Sequence, residues 1–141
     1  MPRKPVYSSP QEAETAFYEA LERCDLDAMM AVWSEDEDIV CIQPGGDRFS
    51  GYAPVRDAWR RVFENGARLR VHLLALTTVQ GPFTAVHSVI EQISVPGRKQ
   101  MAAPVAATNV YVRGALGWRM VVHHASPVSP ASIGDAPQIL H

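Results

Sequence analysis

The sequence has few cysteines, little net charge and no long apolar run, and each shortage excludes a class of protein. Cys24 and Cys41 are its only cysteines. Without CxxC spacing they indicate neither a zinc site nor a disulfide framework, so we interpret both as small buried apolar residues. A net charge of −2 gives no overall field that would attract a nucleic-acid backbone or an anionic membrane.

The start of the chain and its apolar segments lack the features of exported and membrane proteins. Arg3 and Lys4 precede no apolar run, so the first residues do not resemble a signal peptide. No apolar stretch approaches the roughly 18 residues that a membrane helix needs. We therefore predict a cytoplasmic protein that binds neither nucleic acid nor membranes.

The composition is that of one globular domain. Its 141 residues are 47% apolar and 20% charged, enough to bury a substantial core. Residues 1–8 are polar and contain proline, which predicts a flexible N-terminal arm. The domain would span residues 9–127, and the proline- and serine-rich residues 128–141 predict a C-terminal tail.

Apolar residues recur at helical spacing in three segments, which we predict to be helices: 10–24, 26–33 and 54–65. Ser9 and Glu12 form a capping box at the start of the first helix. Trp33 and Trp59 lie in the apolar stripes, so we expect both in the core. Asn65-Gly66 is typical of a left-handed helix end.

From Arg68 onward the apolar period changes from helical to strand-like. Glycine- and proline-containing turns separate four long strands, at 68–79, 83–95, 105–113 and 117–125. Such short links favour antiparallel hairpins over parallel crossovers. Two brief strands, 39–42 and 48–50, precede the third helix. The pattern predicts an α+β fold in which helices pack on an antiparallel sheet.

Three motifs and the order of elements resemble a known superfamily. The motifs are Asp25-Leu26-Asp27 between the first two helices, Pro44-Gly45-Gly46 after the first strand, and the closing segment GWRMVVHHAS at 117–126. Over about residues 9–127 the chain resembles the nuclear transport factor 2-like superfamily, and more narrowly its SnoaL-like group. The end of the chain is also similar to the association domain of calcium/calmodulin-dependent protein kinase.

The resemblance implies a cone, in which three helices pack in the concavity of a strongly bent antiparallel sheet around an internal pocket. It also implies a homodimer that forms through the outer face of the sheet. It does not imply one activity, because this fold serves ketosteroid isomerases, dehydratases, epoxide hydrolases, polyketide cyclases and structural assembly domains. Gln43 departs from the SnoaL-like pattern, in which a histidine often precedes the Pro-Gly-Gly turn.

Strand alternation sorts the sheet residues into two faces. Pairing Arg113 with Trp118 across the last turn predicts three further pairs, Tyr111–Met120, Asn109–Val122 and Ala107–His124. In the kinase association domain the positions matching Glu91 and Asn109 face the pocket. The predicted pocket residues are then Tyr18, Met30, Trp33, Gln43, His87, Glu91, Asn109, Tyr111 and His124.

Glu91 and His87 are the candidate acid–base residues. A carboxylate inside an apolar cone would have its pKa raised by desolvation, which suits a general acid or base near neutral pH. Against this, a glutamate in a strand is often exposed or salt-bridged. Tyr18 resembles the helix tyrosine of ketosteroid isomerase. The strands carry no acids that match the other two catalytic residues of that enzyme, which are acidic.

The histidines are a weak signal for a metal. His123 and His124 are adjacent in a strand and project to opposite faces, so they cannot hold one ion together. His72, His87 and His124 come from separate strands without a placed carboxylate. We predict neither a metal nor a cofactor.

Three functions fit the sequence. The leading hypothesis is a homodimeric domain that binds a small molecule in a mainly apolar pocket with a few polar groups. One alternative is a lyase, isomerase or hydrolase that uses Glu91 or His87 as acid–base. The other is a dimeric assembly module with a vestigial pocket.

Overall fold

The structure is a computed structural model that describes residues 4–66, 68–97 and 103–134. Its helices are α1 (Pro10–Arg23), α2 (Leu26–Val32), α3 (Tyr52–Asn65) and the short α4 (Ala131–Gly134). Its strands are β1 (Val40–Ile42), β2 (Arg48–Ser50), β3 (Arg70–Gln80), β4 (Thr84–Ser94), β5 (Val105–Gly114) and β6 (Gly117–Pro127). The three predicted helices are confirmed to within two residues at either end. Residues 1–3 of the predicted arm and 135–141 of the predicted tail lie outside the described residues.

The helix ends follow from local hydrogen bonds and backbone conformation. The Ser9 hydroxyl accepts from the backbone N–H of Glu12 at 3.1 Å, which starts α1. Cys24, predicted to be buried, is half-buried and takes the left-handed conformation (φ 53°) that ends α1. The predicted left-handed end of α3 is wrong, because Gly66 is extended (φ −95°, ψ 150°). Gly66 is instead required by space, since a Cβ there would lie 2.7 Å from the carbonyl oxygen of Val62.

Within the described residues the strands form one six-stranded sheet in the order β2-β1-β6-β5-β4-β3. The antiparallel meander predicted for the last four strands is confirmed. The sheet as a whole is mixed, because β1 pairs with β6 in parallel. A parallel pair needs a long crossover, and here α3 and the first three strands of the meander lie between β1 and β6 in the sequence.

A β-bulge interrupts the pairing of β5 with β6. Tyr111 pairs with Met120, whereas the preceding residue Val110 pairs with Val122. Val121 is therefore an extra residue in β6 without a partner on β5. One extra residue reverses the inward and outward alternation of every residue beyond it.

The bulge overturns part of the predicted register. Asn109 lies opposite His123 and not opposite Val122. Ala107 likewise lies opposite Ala125 and not opposite His124. As a result His123 is buried at 2% exposure, whereas His124 is exposed.

The core lies between α1, α2 and α3 and the inner face of the sheet. Trp33 and Trp59 are buried there, as predicted, and so is Cys41. Phe17 of α1 packs edge-to-face on Trp59, with ring centroids 5.7 Å apart. Burial of such large aromatic side chains dominates the stability of a small core.

Residues 4–8, predicted as a flexible arm, lie against the start of β6. The backbone N–H of Trp118 donates to the Tyr7 carbonyl oxygen at 2.9 Å, and the Arg119 guanidinium lies 5.2 Å from the Tyr7 ring centroid. Gly117 has φ +87°, and a Cβ there would lie 2.6 Å from the Tyr7 carbonyl oxygen. Glycine at this position thus permits the close approach of the N-terminal segment.

Candidate functional site

A cavity of about 290 Å³ lies between α1, α3 and the sheet. Its wall consists of Leu21, Gln43, Pro44, Trp59, Val62, Leu69, Glu91, Ile93 and His123. Helices α1 and α3 supply apolar residues, and the sheet supplies the two ionisable ones. The cavity is thus mainly apolar, with Glu91, His123 and, from the turn after β1, Gln43 as the polar residues of its wall.

Glu91 and His123 are joined by a chain of buried hydrogen bonds. The Tyr18 hydroxyl donates to Oε2 of Glu91 at 2.6 Å and accepts from Nδ2 of Asn109 at 2.9 Å. The amide oxygen of Asn109 lies 2.6 Å from Nδ1 of His123. An amide oxygen only accepts, so Nδ1 of His123 carries the hydrogen and Nε2 has a free lone pair.

Burial shifts the pKa of all three ionisable side chains in this hydrogen-bonded series, Glu91, Tyr18 and His123. Desolvation raises the pKa of Glu91 to about 7, against the opposing effect of the Tyr18 hydrogen bond. Burial, followed by the nearby Glu91 charge, raises the pKa of Tyr18 well above its usual 10. Burial also lowers the pKa of His123 to about 3, with a further contribution from the charge of His124. Near neutral pH, Tyr18 and His123 are uncharged and Glu91 is close to its midpoint of titration.

A second polar cluster lies beside the first. Nδ1 of His87 lies 2.8 Å from Oε2 of Glu14, and the His87 ring centroid lies 5.0 Å from that of Tyr111. Glu14 and Tyr18 are one helical turn apart on α1, so one face of the helix supplies partners to both His87 and Glu91. Within the described residues, Nε2 of His87 and the hydroxyl of Tyr111 have no hydrogen-bond partner.

The predicted site residues therefore separate into groups. Gln43 and Glu91 line the cavity. Tyr18 donates a hydrogen bond to Glu91, and Asn109 donates one to Tyr18. His87 belongs to the second cluster and is not part of the cavity wall.

Other predicted residues lie elsewhere. Met30 and Trp33 are core residues away from the cavity wall, and Tyr111 packs on His87. The prediction that His124 faces the pocket is wrong, because the bulge in β6 turns it to the outer face of the sheet.

Sequence reasoning missed His123 and the apolar wall residues. The adjacent pair of histidines in β6 showed that one of them must face inward, but not which one. Trp59 was predicted as core, and the structure shows that it also faces the cavity. Of the remaining wall residues, Leu21 and Val62 belong to the apolar stripes of the predicted helices 10–24 and 54–65, and Ile93 shares the strand face of Glu91. Pro44 and Leu69 carry no sequence signal of a pocket.

Neither a metal cluster nor a membrane-spanning helix occurs among the described residues. No three histidine, cysteine, aspartate or glutamate side chains of residues 4–66, 68–97 and 103–134 are placed to hold one ion. In the same ranges, no helix has the length and apolarity needed to cross a membrane.

Comparisons with known proteins agree with this architecture. A Thiobacillus denitrificans protein assigned as a calcium/calmodulin-dependent protein kinase type II association domain is 39% identical; the match covers 89% of this chain and 99% of that one, with a TM-score of 0.84. A Streptomyces avermitilis protein of the nuclear transport factor 2-like family, assigned as a dehydratase, is 30% identical, with coverage of 85% and 94% and a TM-score of 0.76.

A plant protein is related in sequence, and a family model covers most of the chain. The F-box protein SKIP8 of Arabidopsis thaliana is 29% identical over 129 residues, which are 90% of this chain. The chain spans about half (52%) of the length of that relative. The model of the SnoaL-like domain matches residues 11–130. The chain therefore belongs to the SnoaL-like family, within the nuclear transport factor 2-like superfamily that its sequence motifs resemble.

Proposed function

We propose that this domain binds a small, mainly apolar molecule in the cavity, oriented by the carboxyl group of Glu91. The observation that carries the proposal is a carboxyl group of 3% exposure in the wall of a mainly apolar cavity. Burial of an ionisable group in an apolar surrounding is costly. Such groups concentrate at functional sites, where the cost is offset by ligand recognition or chemistry.

The size of the cavity limits the ligand. Because a liquid water molecule occupies about 30 Å³, a volume of about 290 Å³ fits a ligand with on the order of ten non-hydrogen atoms. Trp59 and Val62 on one side and Leu21 on the other suit a flat or compact apolar body. A bicyclic aromatic compound is a suitable probe.

Calorimetric titration with 2-methylnaphthalene tests whether the cavity binds apolar molecules. Leu69→Trp places a large side chain in the cavity wall and should abolish binding. Leu116→Trp is the matched control, because Leu116 is 64% exposed in the β5–β6 turn, and it should bind like the wild type. Equal binding by both variants, or none by the wild type, would contradict the proposal and favour an assembly module with a vestigial pocket.

A second candidate function is acid–base catalysis of the lyase or isomerase type by Glu91. The specific observation is its pKa of about 7, since a group that titrates near the working pH serves both as base and as acid. Glu91 is favoured over His87, which is paired with Glu14 away from the cavity. The similarity to a protein assigned as a dehydratase is consistent with this class of reaction.

Exchange of carbon-bound hydrogen for deuterium tests the catalytic candidate, because a general base must abstract a proton from its substrate. A panel of small ketones is incubated with the protein in D₂O and examined by NMR. Wild-type protein should promote exchange with an apparent pKa of about 7, and Glu91→Gln should not. Exchange by Glu91→Gln at the wild-type rate would exclude Glu91 as the base.

We also propose a homodimer that forms through the outer face of the sheet. Five valines are direct neighbours across five strands: Val40, Val122, Val110, Val86 and Val79. All five are half-buried or exposed, and an apolar row of this kind on a monomer indicates a partner surface. A twofold pairing of identical rows covers both copies.

A further inference from the structure

The hydrogen bonds behind the cavity have a fixed direction when Glu91 is ionised. A carboxylate only accepts, so Tyr18 must donate its single hydroxyl hydrogen to Glu91. The Tyr18 oxygen can then only accept, which turns the NH₂ of Asn109 towards Tyr18. The amide oxygen of Asn109 is left for Nδ1–H of His123.

The same hydrogen bonds determine which ring nitrogen of His123 can accept a hydrogen bond. With its hydrogen on Nδ1, the neutral ring has an unprotonated Nε2, which is a hydrogen-bond acceptor. The ring is held in place by Phe17, at 4.9 Å between centroids, and by Trp59, at 6.0 Å. Glu91, whose Oε2 is bound to Tyr18, adds a second acceptor to the same wall.

The wall offers no positive charge to an anion. Of the described residues that line the cavity, none is lysine or arginine, and His123 is uncharged near neutral pH because burial lowers its pKa to about 3. A carboxylate or phosphate placed beside Glu91 would be repelled, and the wall donors that have no partner among the described residues, Nε2 of Gln43 and Nε1 of Trp59, carry no charge to offset the loss of its hydration. A ligand whose polar group donates a hydrogen bond meets neither penalty.

We infer that the cavity selects uncharged apolar molecules that carry a hydroxyl group, which donates to Nε2 of His123. Asn109 is the positioning residue, because its amide holds the hydrogen of His123 on Nδ1. The inference rests on the proposed binding function and names the chemical class of the ligand.

Three probes of similar size test the ligand class by calorimetry at about pH 7.5: 2-naphthol, 2-methylnaphthalene and 2-naphthoate. One added hydrogen bond predicts that 2-naphthol binds about tenfold more tightly than 2-methylnaphthalene, and that 2-naphthoate binds most weakly. Equal affinities for 2-naphthol and 2-methylnaphthalene would overturn the hydroxyl preference and leave the binding function intact. Failure of all three probes to bind would overturn both.

The two adjacent histidines provide a matched pair of variants. His123→Phe should reduce the preference for 2-naphthol over 2-methylnaphthalene, because Nε2 is gone while the apolar wall and the Glu91 carboxyl group remain. His124→Phe should keep the tenfold preference, because His124 is on the outer face. An undiminished preference in His123→Phe would contradict the role of Nε2.

The tautomer of His123 is measured directly by ¹⁵N NMR of histidine-labelled wild-type protein at about pH 8. We expect a protonated Nδ1 and an unprotonated Nε2; the reverse would overturn the inference even if no variant folds. In Asn109→Leu either ring nitrogen of His123 should be able to carry the hydrogen, and the preference for 2-naphthol should fall.

Discussion

Glu91→Gln should change how the stability of the protein depends on pH. Burial raises the pKa of Glu91 from its ordinary 4.5 to about 7 in the folded protein. Each pKa unit corresponds to 1.36 kcal/mol, so the ionised carboxyl costs the folded state about 3 kcal/mol relative to the protonated form. Glutamine has nearly the same shape and an oxygen to accept from Tyr18, but no charge.

Proton binding determines whether the free energy of unfolding rises or falls with pH. Between about pH 4.5 and pH 7 the folded state retains the Glu91 proton that the unfolded state has lost, so the free energy of unfolding falls as pH rises. His123 acts in the opposite direction, because its folded pKa of about 3 destabilises the folded state as pH falls below about 6.5. Both proteins contain His123, so its contribution cancels when the free energy of unfolding of Glu91→Gln is subtracted from that of the wild type.

Urea unfolding of both proteins between about pH 4 and pH 8 measures this difference. The free energy of unfolding of the wild type minus that of Glu91→Gln should fall by about 3 kcal/mol across the range. Glu19→Gln is the control, because this carboxylate is 58% exposed; its difference from wild type should stay within about 0.5 kcal/mol. If the free energy of unfolding depends on pH in the same way in wild type and Glu91→Gln, then Glu91 is not a buried carboxyl group that titrates near pH 7.

Three further predictions concern the hydrogen bond between Tyr18 and Glu91, the burial of Trp59 and the sheet interface. Tyr18→Phe removes a hydrogen bond that lowers the pKa of Glu91, so ¹³C NMR should show that pKa rising above the wild-type value; an unchanged or lower value would contradict the contact. Trp59→Ala should cost about 3–5 kcal/mol in urea unfolding, and a loss below about 1 kcal/mol would contradict its burial. Sedimentation equilibrium should show a dimer of the 15.5 kDa chain that Val110→Asp dissociates; a wild-type monomer would contradict the sheet interface.

Helices and hairpins were readable from the sequence because both depend on local pattern. The apolar stripe of α3 identifies its buried face, including Trp59, without any knowledge of its neighbours. The short turns of the meander likewise specify antiparallel pairing. The parallel pairing of β1 with β6 was not readable, because it joins segments that are distant in the sequence.

The sequence predicts which face of the sheet each residue of β6 lies on only as far as the bulge. Met120, Val121 and Val122 are three consecutive apolar residues, so hydrophobic alternation does not show where an extra residue enters. The bulge is a property of the pairing with β5, and it decides that His123 and not His124 faces inward.

The partners of the buried ionisable side chains depend on the tertiary structure. Glu91 stands out in the sequence as a strand carboxyl, yet its hydrogen bond to Tyr18 spans 73 residues. The pairing of His87 with Glu14 spans the same separation. Both depend on the rotation of α1 against β4, which no local pattern specifies.

A crystal structure of the protein soaked with 2-naphthol tests the central claim most directly. The account predicts density for the ring system in the cavity beside Trp59 and Leu21, with its hydroxyl within hydrogen-bond distance of Nε2 of His123. A cavity without the probe at a saturating concentration, or the probe bound only on the outer face of the sheet, would contradict the account.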